Sequence, residues 1–366
     1  MPFTKVWGNS AAVLSTAVNW LPVNVRNSAY AWTASGSGTN EYYLRTAGGA
    51  NPGFAAAPDS VYANGSAVTS GTPGSLAAAR WGYGDNDALG YSTIYIRLSD
   101  GADPDSKTNG WVSFYQTPRA AEHIRFPNSS FDATSGLDYS AIASGDVIFD
   151  GYAGNIGTAT NYAYFDPDKF EFLALGGQAF IDIGAAAIPV QITGTGQAAS
   201  GERGLYLRGS AITVANIAGG SVGIAALDGE TSTITTARVL GDSTQVLIGS
   251  GCGLTTLHVY GGEVRVRSSG ITTIIQYGGT IYLEGAASAT TFTQYGGIAY
   301  WNSTGTIGTH NHYGGTWDET KNGAARTLTT QNLYLPGGTL LLNKEAVTRT
   351  NLPSMQQTLA ITTSEA

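Results

Sequence analysis

The tripeptide Tyr-Gly-Gly recurs in "HVYGGEVRVR", "IQYGGTIYLE", "TQYGGIAYWN" and "NHYGGTWDET". Its tyrosines are Tyr260, Tyr277, Tyr295 and Tyr313, at intervals of 17, 18 and 18 residues. The first glycine of each copy is Gly261, Gly278, Gly296 and Gly314. A fixed period of this length marks stacked structural repeats. Weaker copies place Gly219, Gly241 and Gly337 at the same point, and "FLALGGQAFIDIG" supplies an earlier one at Gly176. The second position after the glycine pair reads Val222, Val264, Ile281, Ala299, Trp317, Leu340. The fourth reads Ile224, Val266, Leu283, Trp301, Glu319, Leu342, and Leu257, Ile274 and Phe292 fill a column before the pair. This is strand alternation repeating in register.

Residues about 18 apart therefore share one environment, as in a β-solenoid whose coils stack about 4.8 Å apart. The glycines are expected at a corner where φ turns positive or backbones crowd. The tyrosines are expected to stack as an aromatic ladder, with a sugar-stacking platform as the alternative. Intervals of 17 to 23 residues without a hexapeptide pattern favour a right-handed parallel β-helix with variable corners.

The composition agrees with an all-β chain. Of 366 residues, 50 are glycine and only 12% are charged. Glycine lacks the strict three-residue period of collagen. We expect a β-rich, sandwich-like anchoring domain over 1–120, a parallel β-helix over 121–345 and a cap or tail over 346–366. The first part holds Trp7, Trp20, Trp32, Trp81 and Trp111, with short alternating runs such as "STIYIRLSD" between turns. A short helix is expected at "SLAAARW". The stretch "AAEHIRFPNSSFDATSGLDYSAIASGDVIFDG" reads as a lead-in, with coils from about residue 145.

A net charge of −8 gives no footprint for nucleic acid. A lone cysteine, Cys252, permits no intrachain disulfide and reads as a small buried side chain. The start "MPFTKVWGNSAAVLSTAVNW" is a poor signal peptide, and no run of about 20 apolar residues suggests a membrane span.

Several groups are candidates for chemistry. His310 and His312 lie two apart on one strand, so they share a face, with Asp318 and Glu319 nearby. They are a metal pair if a third ligand joins, or a stacked, hydrogen-bonded core or corner pair. Asp85 and Asp87 in "GDNDALG", and Asp100, Asp103 and Asp105 in "SDGADPDS", suit calcium or Asx-turns. Glu263, Arg265 and Arg267 read as an outward ion-pair row, or as a contact for an anionic sugar. Tyr282 and Tyr300 are candidate glycan contacts. A polysaccharide-cleaving β-helix needs converging carboxylates. Glu263 and Glu284 share a corner, and Asp228 with Glu230 is the best remaining pair. No Gly-x-Ser-x-Gly, phosphate-loop or dinucleotide fingerprint occurs. No catalytic residue or cofactor is therefore expected.

The segment "WGYGDNDALGYSTIYIRLSDGADPD", followed by "GLDYSAIASGDVIFDGYAGNIG", resembles structural proteins of tailed bacteriophages. These carry a β-rich N-terminal part and then a parallel β-helix with Tyr-Gly-Gly coils. The resemblance implies a virion component made in the host cytoplasm, and carries over no catalytic residue. The expectation is a non-enzymatic protein displayed on the particle as capsid decoration or head spike. Its expected partners are the major capsid protein and itself, as a homotrimer. The alternative is a tail spike that binds a host receptor or binds or depolymerises a polysaccharide. A bacterial adhesin is a third reading, disfavoured by the missing export signal.

Overall fold

The structure is a computed structural model, and it describes residues 4–6, 23–24, 30–52, 56–107, 112–115, 123–127, 132–133, 137–139, 145–184, 187–196, 202–334, 337–343, 346–351 and 354–355. Trp7, Trp20, Trp111 and the tail beyond 355 lie outside the described residues. The chain is all-β and divides into two compact units, one mainly of residues 14–118 and one mainly of residues 119–366, whose sheet the strand Thr4–Val6 also joins.

The N-terminal unit is one eight-stranded sheet curved into a half-barrel. Its strands run in the spatial order Val23–Asn24, Val112–Tyr115, Ser60–Ala63, Ser66–Ser70, Arg80–Gly84, Thr93–Arg97, Tyr42–Thr46 and Tyr30–Ala34. Every pairing is antiparallel except a short parallel one, Thr69 with Arg80 and Ser70 with Trp81. The strands thus join in a single sheet instead of two facing ones, and curvature closes the core. Trp32, Leu44, Val61, Trp81, Ile94, Ile96 and Phe114 pack inside it. The expected helix at "SLAAARW" is absent. Leu76 is buried, Ala79 takes a φ of 55°, and Arg80 already begins a strand. A residue at positive φ cannot continue a right-handed helix.

The second unit is a parallel β-solenoid of about ten turns with coils of about 20 residues. A typical coil has one longer strand, such as Cys252–Val259, a Tyr-Gly-Gly corner, and a short strand such as Glu263–Val266. Successive coils pair in parallel and in register: Val264 with Ile281, Ile281 with Ala299, Ala299 with Trp317. These side chains, with Val266, Leu283 and Trp301, are fully enclosed. Coils begin before residue 145. Ile124–Phe126 pairs with Val147–Phe149, and Asp138–Tyr139 with Tyr164–Phe165, so the stretch read as a lead-in already carries rungs. The ladder also runs past residue 345, where Val347–Arg349 pairs with Arg326–Leu328.

The two glycines of each corner do different work. The second one carries the positive φ: 74° at Gly262, 67° at Gly279, 77° at Gly297 and 83° at Gly315. The first has no such φ, but it crosses the coil below closely. A Cβ on Gly278 would sit 2.5 Å from the Tyr260 carbonyl oxygen, and one on Gly296 or Gly314 2.7 Å from that of Tyr277 or Tyr295. Corner conformation and coil-to-coil contact each demand a glycine, which is why the motif needs two.

Candidate functional site

The corner tyrosines form a continuous ladder. Ring centroids are 4.7 Å apart for Tyr260–Tyr277, 5.3 Å for Tyr277–Tyr295 and 4.8 Å for Tyr295–Tyr313, with planes within 20°. Tyr334 adds a fifth ring 4.0 Å beyond Tyr313. All four corner tyrosines are exposed. Their faces are covered by one another, so the stack offers solvent its ring edges and hydroxyls. A sugar ring that needs an open aromatic face finds none between Tyr260 and Tyr334. Beside the ladder runs a column of threonines, Thr256, Thr273, Thr291, Thr309 and Thr330, in register on successive coils.

On the short strands, Arg265, Tyr282 and Tyr300 occupy one outward column, and the buried Asp318 stands in register with Tyr300. Tyr282 lies between the Arg265 guanidinium, 4.6 Å from its centroid, and Tyr300 at 4.9 Å. Arg265 bonds Glu263 at 2.8 Å and Glu284 at 2.7 Å, and Glu284 also meets Arg267 at 3.2 Å. Glu284 therefore bridges two arginines, and the row is a network of partly exposed pairs. Such pairs contribute little to stability.

The N-terminal aspartates are spent on backbone donors. Asp85 accepts the N–H groups of Leu89 and Gly90, and Asp103 that of Asp105. Asp87 accepts from Gly36 N–H at 2.7 Å and the Ser35 hydroxyl at 2.8 Å. Asp100 accepts from Ala102 N–H and pairs with Lys107. Asp105 accepts the Trp32 N–H at 2.9 Å, on the outer strand of the half-barrel sheet. Each is explained by turn or edge capping. Among the described residues no three His, Cys, Asp or Glu side chains gather as a metal group.

His310 and His312 point into the solenoid and are buried; Asp318 and Glu319 are buried as well, on adjacent positions of opposite faces. His312 Nδ1 faces Gln294 Oε1 at 3.0 Å, and Gln331 Nε2 faces His310 Nδ1 at 3.4 Å. Burial lowers the pKa of both, that of His310 well below its usual value, where His312 and Arg349 add to the effect. Glu319 accepts two bonds from Arg349 Nη2, both 2.6 Å, and one from Trp317 Nε1 at 3.0 Å. Sequence reasoning placed Glu319 in an inward column but missed Arg349, whose coil carries no repeat signature. Cys252 is buried, and burial pushes its thiol up to about 12.

A cleft that sequence reasoning did not find lies on the early coils. Strand register places Asp138, Tyr164, Asp182 and Arg208 side by side on four successive rungs. Two adjoining cavities of about 390 and 480 Å³ share Tyr164, Asp182 and Arg208 as lining. Glu230 closes one of them, whereas Asp228 points to solvent, so that pair diverges. Arg208 Nε bonds Asp182 Oδ2 at 2.8 Å, and its guanidinium lies 4.1 Å over Tyr162. Burial first, then Asp166, Asp182 and Asp138, raise the Tyr164 pKa. These coils lack the Tyr-Gly-Gly motif, so only the register brings their charges together.

No family model, curated protein or solved structure matches the chain.

Proposed function

We propose that the chain is a non-enzymatic structural protein displayed on the exterior of a bacteriophage particle, as capsid decoration or head spike. One observation carries the non-catalytic part. On the coils that carry the Tyr-Gly-Gly motif, Glu263, Glu284 and Glu319 are each engaged with arginines, and Asp318 accepts from the Thr320 N–H and hydroxyl. The side chains of these coils are spent on holding rung to rung: stacked tyrosines, threonine columns and buried amides. The segments that resemble phage structural proteins supply the particle, with the half-barrel unit as its anchor and a homotrimer as the assembly.

The test locates the chain by mass spectrometry on purified, stepwise-stripped particles. Recovery with the head supports decoration, and absence from every particle fraction removes the reading. A second reading, a tail spike that binds a receptor or polysaccharide, is favoured by the mixed-charge cleft on the early coils. Recovery at the tail tip promotes it.

A further inference from the structure

We propose that the early-coil cleft is a binding site for a neutral oligosaccharide. The inference deepens the second reading above, since it assigns that reading's ligand to a specific place. That place is not the exposed tyrosines of the later coils. Their ring faces are stacked on each other.

The charges decide the ligand class. Asp138, Asp182 and Glu230 line the cleft, so an anionic sugar meets three carboxylates. The Arg208 guanidinium stands among them, bonded to Asp182, which makes the lining mixed in charge and not uniformly acidic. Both signs are present and partly paired. A ligand that fits offers donors to carboxylates and acceptors to a guanidinium without carrying charge itself. Alternating hydroxyls on a saccharide do this. Tyr164 adds an apolar body with a hydroxyl tip, as carbohydrate sites need. The column from Asp138 to Arg208 spans three coil spacings, roughly 14 Å. That is longer than one pyranose ring, so several rings can lie along it. The cavity volumes fall within the small-molecule range.

Glu230 adds a polar wall with hydrogen-bonding capacity to spare. It is nine-tenths buried, at 9% exposure, and lines the cleft wall. Its Oε2 accepts from Leu227 N–H at 2.8 Å, while Oε1 accepts no hydrogen bond among the described residues. The Tyr162 hydroxyl also lacks a partner of good geometry. Burial first, and then the Glu230 carboxylate, raise its pKa. The Tyr162 hydroxyl and the Glu230 carboxylate face each other in an imperfect contact, and a sugar hydroxyl entering between them with a small shift of the Leu227–Glu230 turn would bond both.

The test uses the full-length chain and saturation-transfer NMR. The probes are neutral tetrasaccharides of α- and β-linked hexoses and N-acetylhexosamines, with an oligogalacturonate and a chitosan tetramer as charged controls. At least one neutral tetramer is expected to bind, with both charged ones weaker. Asp182→Asn and Tyr164→Phe should each weaken that binding about tenfold. Tyr295→Leu, on the outer ladder, should leave it unchanged. Circular dichroism melts identify any variant that fails to fold, and Glu230→Gln serves as the replacement. The proposal is overturned if no neutral tetramer binds at millimolar concentration, if a charged one binds better, or if the cleft variants bind as well as the parent. Particle location is read separately, so a head-located chain that binds sugar sinks the tail-spike reading and spares the cleft.

Discussion

One interior column runs through the whole solenoid and changes its chemistry on the way. In strand register it reads Phe126, Phe149, Phe172, Ile192, Ile217, Val239, Val259, Gln276, Gln294, His312, Leu333. In the early coils the phenylalanines stack at 4.6 and 4.8 Å, matching the rise of one rung. In the late coils amides take their place. Gln276 donates to the carbonyls of Gly279 in its own corner and Ile298 in the next coil, both at 3.0 Å. Gln294 donates likewise to Gly297 and to Thr316. The difference teaches that an inward position here is fixed by coil geometry and not by apolarity. Early coils are held by volume, which is non-directional. Late coils are held by directed bonds that also fix the register of each corner against the next.

The largest effects come from breaking each end in its own way. Phe149→Ala removes a ring packed on both sides and should cost about 3–5 kcal/mol. Arg349→Met leaves the Glu319 carboxylate buried and unpaired, also about 3–5 kcal/mol. The two should then diverge. Adding Glu319→Leu to Arg349→Met should recover most of the loss, because the pair is replaced together. Denaturant unfolding gives the totals, and hydrogen exchange assigns the loss to early or late coils. A double variant no better than Arg349→Met would mean that the late core needs its charges.

Next in size is a contrast between two glycines, both at positive φ. Gly285 has open space around its missing Cβ, so Gly285→Ala should cost only the conformational penalty, about 1–2 kcal/mol. Gly297 takes the same hand of turn, but its Cβ would strike backbone of the preceding corner. Gly297→Ala should therefore exceed that penalty clearly and loosen the corner at Gly279 as well. Equal costs at the two sites would show that the late corners are held by φ alone.

The repeat made most of the late coils legible. The apolar columns Val264, Ile281, Ala299 and Val266, Leu283, Trp301 could be read directly and are enclosed. Of the residues before the tyrosines, His312 reads from the sequence as half of a core or corner pair, whereas Gln276 and Gln294 look like surface residues without the carbonyls they meet. The cleft was hidden for another reason. Asp138, Tyr164, Asp182 and Arg208 are separated by irregular intervals, and nothing local announces that they share a column. Glu41 escaped notice in the same way. It is buried and accepts from Gly74 and Leu76 N–H, more than thirty residues on.

The polar end should also carry a pH dependence that the aromatic end lacks. Burial depresses the pKa of His310 and His312 in the fold, so the unfolded chain takes up protons first, below its value of 6.5. Stability is full above that pH and is lost as the pH falls below it, by up to about 1.4 kcal/mol per pH unit per histidine. A second proton on either imidazole would find no acceptor facing it among the described residues. His312 Nδ1 donates to Gln294, and both Nε2 atoms lack partners among the described residues. The groups around them are Gln331, Arg349 and Trp317. Denaturant midpoints between pH 7 and 5 measure the slope, and His310→Gln with His312→Gln should flatten it. An unchanged slope in that variant would place the acid sensitivity elsewhere.

The smallest expected effect separates stacking from burial. The inner Phe126–Phe149–Phe172 stack, at 4.6 and 4.8 Å, and the tyrosine ladder around Tyr295, at 5.3 and 4.8 Å, have similar spacings, but the phenylalanines are enclosed and Tyr295 is half exposed. If stacking itself held the coils, Tyr295→Leu and Phe149→Leu should cost similar amounts. If burial dominates, Tyr295→Leu should fall to about 0.5–1.5 kcal/mol, the share of ring-on-ring contact beyond area. Phe149→Leu should exceed it, since it also opens a gap in a closed core. We expect the second outcome. An exposed ring gains little from leaving water, and its neighbours Tyr277 and Tyr313 can shift to cover the vacancy. The same chain thus measures, at similar spacings, what an aromatic ladder is worth wet and dry.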